Sequence, residues 1–119
     1  MSKRTDREFL SDILEAIRRI KAYIAGMAYE SFLQDMKTQD AVARNLEIIG
    51  EAVKNLSEEI RERHKTIPWK SMAGVRDRLI HHYFGISLDV VWEIVTTELD
   101  MVASYVEQIL MEMEAKRDG

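Results

Sequence analysis

Apolar residues recur along this chain at intervals of three and four, the period of a helix with one buried face. The first stripe is Phe9, Ile13, Ile17, Ile20 and Ile24, which predicts a helix from about Thr5 to Ala25. Gly26 follows it and suits a left-handed cap. A short amphipathic piece, MAYESFLQDM, comes next. The second stripe is Val42, Leu46, Ile49, Val53, Leu56 and Ile60, with Thr38 as the candidate N-cap. Ser57 is placed to break or recap that helix near its end. Pro68, the one proline, fits a first helical turn, where a missing N–H costs nothing. It predicts a third helix from Pro68 to about Tyr83, stopped by Gly85. Ser87 is the candidate cap of the last helix, whose stripe runs Leu88, Trp92, Val95, Leu99, Val102, Val106, Ile109, Met113. That strict four-three alternation reads as a packing seam against other helices.

No segment alternates with a period of two, and there are no repeats or low-complexity tracts. The predicted fold is all-α: an antiparallel helical bundle of four main helices with short extra helices, in a single domain spanning 1–119. Gly50 and Gly74 fall inside predicted helices, where each costs about 1 kcal/mol relative to alanine. Close approach of another helix is the usual compensation. That helix can belong to the same chain or to a second subunit, and the sequence leaves both open.

Composition narrows the class. At 119 residues with 46% hydrophobic content, the chain can bury a real core. It has no cysteine, which excludes disulfides and thiolate metal sites and fits a reducing compartment. The opening MSKRTDREFLSDILEAIRR carries charges where a signal peptide needs an apolar run. No stretch approaches the roughly 20 apolar residues of a membrane span. The expectation is a cytoplasmic protein with no membrane attachment.

Net charge is −4, which argues weakly against nucleic acid until its distribution is read. Residues 1–60 carry a net −2 and residues 83–119 a net −6, while residues 61–82 carry +4. Polyanions respond to such local patches within a Debye length of about 8 Å. The basic segment ends in GVRDRLIHHYFG, where Arg76, His81 and Tyr83 form the pattern R-x-x-x-x-H-x-Y.

RNA brings its own nucleophile, the 2′-hydroxyl. A nuclease that uses it needs a group titrating near neutrality and a cation for the charged transition state. Histidine and arginine supply these. No metal or other cofactor is required, and the acids offer no metal-ligand cluster: Asp77 is the only one between Arg63 and Tyr83. On a regular helix Arg76 and Tyr83 lie about 20° apart, but Arg76 and His81 about 140°. One helix alone therefore does not assemble the site. A cleft wrapping the helix, or the same motif from a second subunit, would. Arg78 is better spaced for His81 and His82 and is a rival phosphate contact. On spacing alone, a simple helix-end group that caps carbonyls has the better claim. His64 reads as a surface residue near the end of the second helix. Trp69 and Trp92 read as core anchors rather than base-stacking platforms.

The chain resembles the HepT-like branch of the HEPN superfamily. The resemblance rests on Arg76, His81 and Tyr83, on ARNLEIIGEAVKNLSEE in the second helix, and on IPWKSMAGVRDRLIHHYFGISLDVVWEIV; it spans about residues 5 to 113. It implies a metal-independent endoribonuclease with Arg76 and His81 as the catalytic pair at the cleft of a homodimer. It also implies a toxin whose partner is an MntA-like minimal nucleotidyltransferase antitoxin, which transfers AMP to Tyr83 and silences cleavage of the RNA substrate. The two could form a higher hetero-oligomer. Arg78 and His82 are candidate RNA phosphate contacts beside the pair. The alternative within the same family is a non-catalytic HEPN module that docks onto a nucleotidyltransferase.

Overall fold

The structure, a computed structural model, describes the backbone of residues 4–81 and 87–118 and the side chains of 4–75 and 87–116. Its elements are α1 (Asp6–Ile24), α2 (Tyr29–Leu33), α3 (Met36–Asn55), α4 (Glu58–Arg63), α5 (Trp69–His81), α6 (Leu88–Glu93) and α7 (Leu99–Asp118). A π-helical turn, Ile94–Glu98, joins α6 to α7. The four long bodies of the predicted bundle are thus α1, α3, α5 and the continuous α6–α7 rod. Among the described residues there is no strand.

Local chemistry sets the ends of α1. Thr5 and Glu8 form a capping box: the Thr5 hydroxyl accepts from the Glu8 N–H at 3.2 Å, and the Thr5 N–H donates to the Glu8 carboxylate at 3.0 Å. At the other end Gly26 adopts φ 72°, the left-handed turn the sequence called for. The buried face of α1 is Leu10, Ile13, Ala16, Ile17, Ile20 and Ile24. Leu10 takes the place expected of Phe9, which is only half-buried and lies under the Arg4 guanidinium.

The start of α3 corrects a second expectation. Its N-cap is Asp35, whose carboxylate accepts from the Thr38 N–H at 3.0 Å and the Thr38 hydroxyl at 2.7 Å. Thr38 is therefore the third residue of the helix and is held by the cap. Ser57 does recap the chain. Its hydroxyl accepts from the Ile60 N–H, while its own N–H and hydroxyl both donate to Asp6 at 2.8 and 2.6 Å. This last pair pins the start of α4 to the start of α1.

Pro68 stands just before α5 rather than inside its first turn, and its carbonyl accepts from the Met72 N–H. Ser87 occupies the N-cap position of α6 without a side-chain cap bond. The predicted ending of the third helix at Tyr83 and Gly85 lies outside the described residues. In the π turn, the Thr96 and Thr97 hydroxyls donate back to the carbonyls of Trp92 and Glu93 at 2.7 and 2.6 Å. A π turn holds one extra residue, so it shifts the phase of the seam. Before it, Val91 is the buried residue, with Leu88 and Trp92 half-buried; after it, Leu99, Val102, Val106 and Ile109 follow the predicted stripe.

Ion pairs show the directions. Arg7 at the start of α1 meets Glu114 near the end of α7, and Lys21 at the end of α1 meets Asp100 at the start of α7. The two helices are antiparallel. The Asp6–Ser57 bonds make α1 and α3 antiparallel as well. Helix α3 lies centrally, packing on α1 on one side and α5 on the other.

Candidate functional site

The basic segment begins on α4 and crosses to α5 through a short connection that is firmly held. Ile67 is buried, and the Trp69 N–H donates to its carbonyl at 2.8 Å. The Trp69 indole is buried as well, and its Nε1–H donates to the His64 carbonyl at 3.1 Å. A buried tryptophan with its polar atom satisfied anchors the start of the helix that carries the motif. His64 is the C-cap of α4 and half-buried, so it ends that short helix rather than the long second one. Trp92 packs its ring against Phe32 at 5.1 Å and Tyr29 at 6.0 Å, which makes it an anchor of the α2–α6 corner.

Arg76, Arg78 and His81 all lie on α5, which is α-helical from Trp69 through His81. Their side chains are not among those described. His82 and Tyr83 lie outside the described residues. The backbone nonetheless bears on the angular argument. Because α5 is a regular helix as far as His81, the 140° separation of Arg76 and His81 stands.

The two helical glycines part company here. Gly50 is buried within the chain itself. A Cβ built on Gly74 meets nothing within 4 Å among the described residues. Gly50 is thus covered by its own chain, whereas Gly74, two residues before Arg76, has no such cover among the described residues.

Beside this helix runs a groove of about 740 Å³ between α4, the connection and the first turns of α5. Arg61, Lys65 and Lys70 line it, with Glu58 and Glu62 on its α4 side and Trp69 in its wall. The Arg61 Nε is buried and has no hydrogen-bond partner among the described residues. In the sequence these cations show only as part of a charge run; the fold is what brings them to one groove. Among the described residues no group of three His, Asp or Glu side chains converges as a metal site, and no helix is long and apolar enough to cross a membrane.

A four-body helical bundle with an arginine and histidine spaced five apart on one helix defines a class, and comparison with known proteins identifies it. The family described as "Ribonuclease HepT-like" matches residues 13–109. "Putative RNase MJ0127" of Methanocaldococcus jannaschii is 45% identical over 119 residues, covering 100% of this chain and 98% of that protein. "Probable ribonuclease HepT" of Thermococcus cleftensis is 43% identical over 107 residues, covering 90% of this chain and 97% of that protein. No solved structure gives a significant match. The chain belongs to the ribonuclease HepT-like family, and ribonuclease activity is the chemistry that membership carries.

Proposed function

We propose that this chain is a metal-independent endoribonuclease toxin of a toxin–antitoxin pair, working as a homodimer. Arg76 and His81 form its catalytic pair. The observation that carries this is the regular α5 helix, on which the backbone positions of the motif's two working residues lie about 140° apart, with Gly74 on the same helix meeting nothing among the described residues. Two copies of α5 facing one another let the arginine of one work beside the histidine of the other.

The chemistry follows from the residue types. His81 takes the proton of the 2′-hydroxyl as O2′ attacks phosphorus, and the P–O5′ bond breaks as O5′ takes a proton from solvent. The product ends are a 2′,3′-cyclic phosphate and a free 5′-hydroxyl. Arg76 steadies the added negative charge on the phosphoryl oxygens. Arg78 and His82 are further phosphate contacts.

Tyr83 is the regulatory handle. Its hydroxyl ordinarily titrates near 10, which makes it a poor base at neutral pH. An MntA-like minimal nucleotidyltransferase antitoxin transfers AMP from ATP to it with release of pyrophosphate, and the added bulk and negative charge close the cleft to RNA.

The test is cleavage of RNA by the purified protein in EDTA. The wild type cuts and leaves cyclic phosphate ends. His81→Ala loses roughly 10²–10⁴-fold, and Arg76→Ala falls comparably. Co-refolding the two inactive variants recovers part of the activity, because one mixed cleft holds an intact arginine and histidine. No recovery overturns the composite site, and activity that returns only with magnesium overturns the mechanism. Tyr83→Phe still cleaves but escapes neutralisation by the antitoxin; a dead Tyr83→Phe overturns the regulatory role.

A further inference from the structure

We infer that the groove between α4 and α5 is a binding track for the RNA backbone next to the scissile phosphate, with Arg61, Lys65 and Lys70 as its phosphate contacts. This rests on the ribonuclease reading above and extends it to how substrate is held.

Three observations carry it. The first is charge that the chain does not use. Arg61, Lys65 and Lys70 have no carboxylate partner among the described residues, although Glu58 and Glu62 line the same groove. Their neighbour Arg63, on the other side of α4, pairs with Glu59 at 2.8 Å. Long flexible cations left free beside available acids keep their charge for something else. The second is position. Lys70 precedes Arg76 by six residues on the same helix, about 9 Å along its axis and about 120° around it. A strand whose scissile phosphate sits at Arg76 reaches Lys70 and Lys65 within a few nucleotides by curving around α5. The third is rigidity. The groove wall is the Trp69 indole, tied to the His64 carbonyl, so the cations project from a fixed floor.

Such contacts are to backbone and carry no base readout. The track thus raises affinity for strands that extend beyond the cut on one side, and leaves the chemical step untouched. It also explains how a chain of net charge −4 binds a polyanion at all.

The experiment compares the wild-type protein with Lys65→Ala/Lys70→Ala and with a single-lysine control away from the groove, Lys37→Ala, on the exposed start of α3. The probes are a 20-nucleotide single-stranded RNA and a short oligonucleotide of the same central sequence. The double variant should raise KM for the long RNA about tenfold with kcat unchanged. It should flatten the slope of log affinity against log salt by about 1.4, from two lost phosphate contacts on a single strand. It should leave the short substrate unaffected, and Lys37→Ala should change nothing. If the wild type cuts normally and the double variant matches it on the long RNA, the track is wrong while the ribonuclease reading stands. If the wild type itself neither binds nor cuts RNA, the ribonuclease reading has failed first. If the double variant cuts normally but escapes the antitoxin, the groove docks protein and this inference is overturned.

Discussion

The two flanks of the bundle treat their positive charge differently. Along α1 every arginine and lysine from Arg4 to Lys21 holds a carboxylate: Arg4 with Asp12, Arg7 with Glu114, Arg18 and Arg19 with Glu15, Lys21 with Asp100. Along the α4–α5 edge, Arg61, Lys65 and Lys70 hold none among the described residues. Exposed ion pairs contribute only about 0–1 kcal/mol each, so the difference is not chiefly one of stability. It is one of availability. Paired cations present little field to a passing polyanion, whereas unpaired ones on α4, the connection and the start of α5 present more of theirs. On the reading proposed above, one flank is scaffold and the other is where the molecule meets its substrate.

The largest expected effect separates the two roles. Phe32 is fully buried at the α2–α6 corner, where it packs on Trp92. Phe32→Ala should destabilise the fold by about 3–5 kcal/mol, read as a lower urea midpoint. Whatever chains remain folded should still cleave RNA. His81→Ala should show the reverse pattern, with an unchanged midpoint and lost cleavage. If His81→Ala also lowers the midpoint by several kcal/mol, the motif helix is part of the scaffold and the contrast between the flanks collapses.

Much of the scaffold is readable from periodicity because burial of one helix face is a repeating constraint. The stripe Ile13, Ile17, Ile20, Ile24 and the seam Leu99, Val102, Val106, Ile109 are both buried as spaced. The misses come where a local competitor decides. Asp35 outbids Thr38 because a carboxylate three residues ahead can accept both the Thr38 N–H and its hydroxyl. The π turn at Ile94–Glu98 leaves the apolar spacing intact, so nothing in the pattern announces the phase shift that buries Val91. The candidate site was legible in kind but not in arrangement. Arg76 and His81 stand out as residue types, and their angular conflict follows from helix geometry alone. That Gly74 meets nothing among the described residues, and that Arg61, Lys65 and Lys70 share one groove, depend on how α4 and α5 pack, which no local pattern encodes.

Ser57 joins the two flanks and gives the next test. Its hydroxyl caps α4 and its two donors hold Asp6 at the start of α1. Ser57→Ala removes the cap and one of those donors and should cost about 1 kcal/mol. Because α4 carries Arg61, amide hydrogen exchange in α4 should rise more than in α1. Equal loosening of both helices would mean that the flanks are one cooperative unit.

A somewhat smaller effect, with two opposed parts, is expected at Gly74. An alanine methyl there meets nothing among the described residues, so a dissociated subunit should gain about 0.5–1 kcal/mol from helix propensity alone. If two copies of α5 face one another, that methyl enters the dimer interface. Gly74→Ala should then make the single subunit more stable while raising the dimer dissociation constant measured by sedimentation. A stabilised protein whose dimerisation is unchanged would move the interface away from Gly74 and weaken the composite site.

The smallest effect belongs to the paired flank. Hydrogen bonds from Arg18 and then Arg19 pull the Glu15 carboxyl from an ordinary 4.5 down to about 2. A group whose folded pKa lies below its unfolded value stabilises the fold above the unfolded pKa. That contribution is lost as pH falls through the folded one. The Glu15 contribution should therefore be complete above about pH 4.5 and fade toward pH 2. Glu15→Gln should lower the urea midpoint slightly at pH 7, and the gap to wild type should close as the pH drops through that window. The pair is exposed, so raising salt should shrink the gap at pH 7 as well. Salt should weaken RNA binding at the opposite flank far more steeply, since each phosphate contact there releases counterions. A Glu15→Gln gap that widens on acidification would show that the carboxyl is not held ionised by its arginines, and the α1 flank would lose its claim to be the self-satisfied side.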